Sequence, residues 1–166
     1  MAMKEDLTLL EVIGLAIRSE EDAAEFYGSI SKVIGNELVR AKYEALAKEE
    51  VGHRHMLVEL YKKMSGESKA PPPIPGSPST AEGGKPRFSA DSIEELLNHA
   101  IGREVDANDF YRRAAARAID TNSRRTLEYL ADIEHGHELM LRSELDAFLR
   151  DRDWYAEKPD VQLVGP

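Results

Sequence analysis

Four stretches of the chain place apolar residues at intervals of three and four positions, which is the repeat of an amphipathic helix. The stretches cover residues 10–34, 43–64, 97–118 and 127–148. The pattern predicts four helices of roughly 25–30 residues each. The polar breaks after the first and third stretches are short, so we expect each pair of helices to form an antiparallel hairpin.

Proline separates these two hairpins. Six of the eight prolines fall within residues 71–86, and none occurs in residues 1–70 or 87–158. A stretch of this composition favours extended backbone over helix. We therefore expect a long crossover over residues 66–90 that joins the hairpins across the molecule.

The two hairpins are copies of one internal repeat. A shift of 84 residues aligns them without a gap and matches four chemically distinctive pairs: Glu20 with Glu104, Tyr27 with Tyr111, Glu50 with Glu134, and His53 with His137. Common composition would explain matched leucines, but it explains these pairs poorly. The helix starts agree as well, because Thr8 with Glu11 and Ser92 with Glu95 are both candidate capping boxes.

A single domain accommodates the whole pattern. We predict an all-α four-helix bundle over residues 1–150, with repeats at 7–65 and 91–150 and a C-terminal tail at 151–166. The length of 166 residues, with 42% apolar and 32% charged residues, suits one soluble domain with a sizeable core.

Composition excludes several classes of function. The chain has no cysteine, which rules out disulfides, thiolate zinc sites, iron–sulfur clusters and a cysteine nucleophile. The net charge of −9 argues against nucleic acid and anionic membranes as partners. Apolar runs are too short for a membrane helix, and the acidic N-terminus does not resemble a secretion signal. We therefore expect a cytoplasmic protein.

Each apolar stripe is interrupted by a glutamate: Glu20, Glu50, Glu104 and Glu134. Burying four unpaired carboxylates together is unfavourable because each loses hydration and repels the others. The stripes contain no lysine or arginine that could neutralise them. Two divalent cations would balance the four negative charges, with neutral imidazoles completing the ligand set.

The positions of two histidines support a metal site. His53 follows Glu50 by three residues and His137 follows Glu134 by three, so each pair projects from one helix face. Together with a glutamate from each partner helix, these pairs supply six ligands for two ions, as in di-iron and dimanganese carboxylate bundles. Mixed carboxylate and imidazole ligands suit iron or manganese. Zinc could occupy the site adventitiously but supplies no redox chemistry.

With these features, the chain resembles the rubrerythrin branch of the ferritin-like di-iron superfamily over about residues 7–150. The resemblance rests on two Glu-x-x-Ala-x-x-x-Tyr segments and two Glu-x-x-His segments: residues 20–27, 50–53, 104–111 and 134–137. It implies the following ligand roles: Glu50 and Glu134 bridge two iron ions, Glu20 and Glu104 are terminal ligands, and His53 and His137 each cap one ion.

The resemblance implies an oxidoreductase that reduces hydrogen peroxide or dioxygen. We also expect a homo-oligomer such as a dimer. Without cysteine the chain lacks the rubredoxin module, so an external donor such as a rubredoxin-like protein is needed. An additional family glutamate is replaced by Ala107, mirrored by Ala23, which makes the site symmetric. Two alternatives remain open: a ferroxidase or iron-storage protein, and a non-catalytic helical interaction module.

Several residues near the site receive individual predictions. Tyr27 and Tyr111 lie seven residues after the terminal glutamates, and we expect each hydroxyl to hydrogen-bond a ligand carboxylate and relay protons or electrons. The alternative is that both are core tyrosines. Glu21 and Glu49 are expected to point away from the site, because adjacent side chains diverge by about 100° on a helix. Residues 154–155 could dock on the bundle or on a neighbouring subunit.

Overall fold

The structure, a computed structural model, describes residues 7–69, 71 and 90–155 and consists of a four-helix bundle. The elements are α1 (Leu9–Ser31), α2 (Glu37–Ser65), α3 (Ala90–Arg117), α4 (Thr121–Arg150) and a short 3-10 helix (Arg152–Tyr155). The predicted all-α bundle of two helix pairs is confirmed. Most of the predicted crossover and most of the tail lie outside the described residues. Within the described ranges, no helix is both long enough and apolar enough to cross a membrane.

The helix ends follow local sequence signals in part. Thr8 and Glu11 form the predicted capping box at the start of α1. At the end of α2, Gly66 adopts a φ of 74°, a left-handed conformation that glycine tolerates best. Helix α3 begins at Ala90, two residues before Ser92, and the side chain of Ser92, which was predicted to cap it, lies outside the described part of the chain. A cap contributes only about 1 kcal/mol, so other interactions can move a helix start by a few residues.

The bundle contains two apolar cores separated by a polar layer. In α1, Ile17 belongs to one core and Ala23 to the other, and the buried Glu20 lies between them. The same alternation recurs in the other three helices. Each helix therefore contributes one polar segment to a layer that is enclosed by hydrophobic side chains on both sides.

The membership of the two cores fixes the helix directions. One core combines the first half of α1 with the last halves of α2 and α3, and the other combines the last half of α1 with their first halves. Helix α1 therefore runs antiparallel to both α2 and α3. The closest packing is within the pairs, α1 on α2 and α3 on α4.

The segment after α4 packs back onto its own bundle. Tyr155 is 1% exposed, and its ring lies edge-on to Phe148 with centroids 5.5 Å apart. Its hydroxyl lies 3.4 Å from Glu144 Oε2, and its carbonyl accepts a hydrogen bond of 3.2 Å from the backbone nitrogen of Asn36. Lys42 contacts the same Glu144 carboxylate. The first residues of the tail therefore connect the start of α2 to the end of α4.

We expect the Tyr155→Ala variant to lose about 3 kcal/mol in the free energy of unfolding, because it leaves a cavity where a large aromatic ring was fully buried. Urea unfolding followed by circular dichroism measures the change. Tyr129, which is 56% exposed on α4, provides the control, since Tyr129→Ala should change the unfolding free energy by less than about 0.5 kcal/mol. Equal losses in both variants would contradict the docking of Tyr155.

Candidate metal centre

The polar layer brings together all six side chains predicted as metal ligands. Each helix contributes one glutamate, and α2 and α4 each contribute a histidine one turn further on. None of the six is more than 6% exposed: Glu20, Glu50, His53, Glu104, Glu134 and His137. Six ionisable groups are thus enclosed between two hydrophobic cores, which requires strong mutual compensation or bound cations.

Their ligand atoms form two overlapping groups of four, each compact enough to surround one metal ion. In the first group Glu20 and His53 join two further carboxylates, and in the second Glu104 and His137 join the same two. The shared carboxylates are those of Glu50 and Glu134. Within each group the atoms lie within 4.8 Å of one another. The layer therefore offers two adjacent sites with two residues in common.

The Nδ1 atom of His53 faces more acceptors than it can satisfy. It lies 2.9 Å from Glu50 Oε2, 3.0 Å from Glu134 Oε1 and 3.6 Å from Glu20 Oε2. A ring nitrogen carries at most one hydrogen, so it can donate to only one of these oxygens. A cation between the four atoms would instead attract all of them at once.

The second histidine repeats this arrangement. Nδ1 of His137 lies 3.3 Å from Glu134 Oε2, 3.4 Å from Glu50 Oε1 and 3.6 Å from Glu104 Oε2. It is buried without a hydrogen-bond partner among the described residues, as are one oxygen of Glu50 and one of Glu134. Buried polar atoms left unpaired on facing side chains are rare in native proteins, and here all three are metal-ligating atoms. The donor set fits two iron ions.

In the metal-free protein the four carboxyl groups differ in protonation. Burial raises the pKa of Glu20 well above its usual range, and burial raises the pKa of Glu104 to about 7. Burial also acts on Glu50 and Glu134, but their close approach to the two histidines outweighs it and holds the pKa of both below the usual value. The two shared carboxylates are therefore ionised at neutral pH.

The two imidazoles carry compensating charge when no metal is bound. Burial lowers the pKa of His53, but the surrounding carboxylates outweigh it and raise the pKa to about 12. The same balance raises the pKa of His137 above its usual value. Two imidazolium ions thus neutralise the two ionised glutamates, and protons occupy the layer where cations would otherwise be needed.

Both predicted tyrosines contact the carboxylate layer, and each contacts a glutamate that belongs to the other repeat. The hydroxyl of Tyr27 on α1 donates to Glu104 on α3, and the hydroxyl of Tyr111 on α3 donates to Glu20 on α1. Burial raises the pKa of both hydroxyls, so they remain protonated donors. The prediction of a hydrogen bond to a site carboxylate holds in this geometry, and the two bonds tie the repeats together.

One residue near the site was assigned wrongly from sequence. Glu21 does point away, towards Arg18 and Arg54. Glu49 does not, because its Oε2 lies 2.7 Å from Nε2 of His137. A carboxylate only accepts, so His137 donates Nε2–H to it, which directs Nδ1 towards the layer.

The Glu49 contact breaks the two-fold pattern of the site. The residue that the repeat places opposite Glu49 is Ile133, which has no side-chain group that can accept a hydrogen bond from His53. The alignment of the two internal repeats already indicated this difference, since the offset of 84 residues pairs a glutamate with an isoleucine. The two halves of the layer are therefore chemically different, although their six innermost side chains match.

A cavity of about 320 Å³ adjoins the layer between α1 and α3. Its inner end is lined by the four glutamates and Tyr111, and its wall includes Ala23, Ala107 and Phe110. Arg18, which is 39% exposed, and the exposed Asp106 lie at its outer end. Small molecules can therefore approach the carboxylates from this side of the bundle.

Comparison with known proteins places these features in a family. The family model for rubrerythrins matches residues 11–145. Among solved structures, a hypothetical protein from Pyrococcus furiosus is 30% identical, with a TM-score of 0.78 over 87% of this chain and 92% of that chain. No protein of curated function gives a significant match.

Two more distant structures share the fold. A bacterioferritin from Rhodobacter capsulatus, solved with a metal-free dinuclear site and haem iron, is 24% identical, with a TM-score of 0.66 over 89% of both chains. A candidate ferritin-like diiron-carboxylate protein from Thermotoga maritima is 22% identical, with a TM-score of 0.65 over 90% of this chain and 99% of that chain. These likenesses confirm the ferritin-like four-helix bundle.

Proposed function

Because this chain belongs to the rubrerythrin family, we propose that it holds two iron ions in the carboxylate layer and reduces hydrogen peroxide there. The observation that carries the proposal is that two histidine nitrogens each face three carboxylate oxygens from three residues. One hydrogen per nitrogen cannot satisfy such a set, whereas one cation per group can.

The two overlapping groups suggest how the ligands are shared. Glu50 and Glu134 belong to both groups and would serve both ions. Glu20 and His53 would serve one ion, and the remaining glutamate and histidine the other. Iron or manganese fits this mixture of carboxylate and imidazole, and zinc would fill it without redox activity.

Bound iron would supply the two electrons and the Lewis acidity that cleavage of the peroxide O–O bond requires. The chain's own residues provide the surroundings. The two hydrophobic cores exclude water from above and below the layer. Tyr27 and Tyr111 each hold one glutamate in place by a hydrogen bond. The hydroxyl group of each tyrosine therefore carries a proton in contact with a carboxylate of the layer.

The reaction needs a partner for its electrons. Hydrogen peroxide takes up two electrons and two protons and leaves as two water molecules. The chain has no cysteine with which to build its own rubredoxin-type iron site. We propose an external one-electron donor, such as a rubredoxin-like protein, that acts twice per turnover.

Stopped-flow oxidation of the iron(II)-loaded protein separates this proposal from its alternatives. We expect hydrogen peroxide to oxidise the protein much faster than dioxygen does, and an external reductant to restore it for further turnovers. Metal-free protein mixed with peroxide serves as the control. Faster reaction with dioxygen, followed by release of iron(III), would favour a ferroxidase. Failure to bind metal would favour an interaction module.

Glu49 should make the two metal sites unequal. A group that accepts a hydrogen bond from a metal-ligating histidine typically contributes about 10–100-fold to metal affinity. We expect Glu49→Ala to weaken one of two manganese(II) binding steps by about 10–100-fold, and Glu49→Gln to weaken it less because the amide oxygen still accepts Nε2–H. Titration calorimetry measures both steps.

Glu44 provides the matched control for this experiment. It is an exposed glutamate on the same helix, where it approaches Arg40 at 3.9 Å. Glu44→Ala removes the same charge from α2 without touching a site histidine and should leave both binding steps unchanged. Equal weakening in Glu44→Ala and Glu49→Ala would show that overall charge, and not the hydrogen bond to His137, controls the affinity.

A further inference from the structure

The cavity beside the carboxylate layer is larger than hydrogen peroxide requires. Its volume is about 320 Å³. A water molecule occupies about 30 Å³ in the liquid, so the cavity has the volume of about ten water molecules. Hydrogen peroxide has only two heavy atoms. The two ions of the proposed function would take up part of the inner end, which the four glutamates line, and hydrogen peroxide would fill little of the remainder. The outer part of the cavity therefore has no role in the reduction of hydrogen peroxide alone.

We infer that this cavity is a substrate pocket for small organic hydroperoxides, of which hydrogen peroxide is the smallest analogue. The inference rests on the proposed function, because the hydroperoxide would be reduced at the same carboxylate layer. It adds a substrate class, and it assigns a specificity role to the residues that line the cavity between α1 and α3.

One part of the cavity wall is apolar. It is formed by Leu15, Ala16 and Phe110 together with Ala23 and Ala107. The last two are equivalent in the repeat, and each follows the site glutamate of its helix by three residues. They therefore lie on the same helix faces as the carboxylates, where their small side chains leave room for an organic group. Burial of such a group is favourable by about 25 cal/mol per Å² of apolar surface.

The rest of the lining is polar and matches the other end of a hydroperoxide. Glu20 and Glu104 lie at the inner end, and Arg103 lines the cavity as well. The Arg103 guanidinium carbon is 5.2 Å from the centre of the Phe26 ring. Its Nε atom is buried without a hydrogen-bond partner in the described part of the chain, so it is free to donate to an oxygen of a bound molecule.

The chemistry is the same for both kinds of peroxide. An organic hydroperoxide ROOH takes up two electrons and two protons, its O–O bond breaks, and it leaves as the alcohol ROH and water. The electrons come from the reduced site and are replaced by the external one-electron donor in two steps. No bond to the organic group is broken, so its fit in the pocket governs which hydroperoxides bind.

Binding can be measured without turnover. The full chain loaded with zinc, which is diamagnetic and redox-inert, is titrated with 2-phenyl-2-propanol, the alcohol that cumene hydroperoxide yields. We expect saturable NMR shifts of the Ala23 and Ala107 methyl groups. Ala116 is exposed on α3, the helix that carries Ala107, and serves as the internal control. Its methyl resonance should not shift.

Turnover then tests the specificity role. In single-turnover experiments on the iron(II)-loaded protein, we expect Ala107→Leu to slow the reaction with cumene hydroperoxide by at least about tenfold, since it fills the pocket. The reaction with hydrogen peroxide should slow much less, so the ratio of the cumene hydroperoxide rate to the hydrogen peroxide rate should fall by at least about tenfold. Ala116→Leu adds the same side chain outside the cavity and should change neither rate. Ala23→Leu provides a second pocket-filling variant from the other repeat.

The outcomes distinguish this inference from the function on which it rests. The pocket inference is wrong if hydrogen peroxide oxidises the protein while cumene hydroperoxide shows no saturable binding and no dependence on Ala107 or Ala23. It is also wrong if Ala107→Leu and Ala116→Leu slow the reaction equally. If the chain retains no metal, or its iron(II) form reacts with neither peroxide, the proposed function itself fails and this inference fails with it.

Discussion

Replacement of Glu50 by alanine is expected to abolish retention of both metal ions, whereas replacement of Glu20 is expected to release one. Glu50 belongs to both groups of ligating atoms, and Glu20 belongs to one. Loss of a direct ligand should weaken metal binding by more than the roughly 10–100-fold effect of losing a group that only hydrogen-bonds a ligand. Both variants also leave opposing histidine nitrogens with fewer acceptors.

Metal content after gel filtration measures this difference. We expect two ions per chain in the wild type, about one in Glu20→Ala and none in Glu50→Ala, and Glu134→Ala should behave like Glu50→Ala. Glu21→Ala is the matched control, because Glu21 adjoins Glu20 in sequence but pairs with Arg18 and Arg54 outside the layer. A Glu50→Ala protein that still holds two ions would overturn the shared-ligand arrangement.

The fold and the six inner side chains were predictable because one rule governs both. A residue that interrupts an apolar stripe at helical spacing must face the core, whatever its chemistry. Glu20 and Glu104 interrupt their stripes in this way, so their burial follows once the helices pack. The repeat at an offset of 84 residues then places both at the same level of the bundle.

The direction of the tyrosine hydrogen bonds depends on helix orientation, which the sequence did not provide. Side chains on a helix lean towards its N-terminus. Helices α1 and α3 are antiparallel, so Tyr27 and Glu104 lean towards each other, whereas Tyr27 and Glu20 lean the same way and stay two turns apart. A period along one helix indicates the face of a residue but not its partner on the next helix.

Glu49 and Tyr155 illustrate the same limit. The angle of about 100° between neighbouring side chains correctly directs Glu49 away from the Glu50 carboxylate. It gives no information about α4, which brings His137 to that side. For Tyr155, the sequence left docking on the bundle or on another subunit open, and the contact with Phe148 depends on the space between α2 and α4.

Uptake of two metal ions at pH 7 is expected to release three protons and part of a fourth. In the metal-free protein one proton each resides on His53, His137 and Glu20, whose pKa values lie above their usual range. Glu104, with a pKa of about 7, is partly protonated. Metal ligation requires the deprotonated form of each group, so binding displaces these protons.

The number released should vary with pH in a defined direction. Below a pH of about 7 Glu104 becomes protonated in the metal-free protein, so about four protons leave at pH 6 and about three at pH 8. Apparent affinity for the two ions together should therefore rise steeply with pH, by about three to four powers of ten per pH unit around neutrality.

Titration calorimetry with manganese(II) in two buffers of different ionisation enthalpy counts the protons directly. His135→Ala is the matched control, because His135 is an exposed histidine on α4 that contacts Glu138 and not the layer, and its loss should leave the count unchanged. Release of one proton or fewer in the wild type would mean that the layer is already deprotonated before metal arrives. The exchange of protons for metal ions, which follows from the raised pKa values of these groups, would then be wrong.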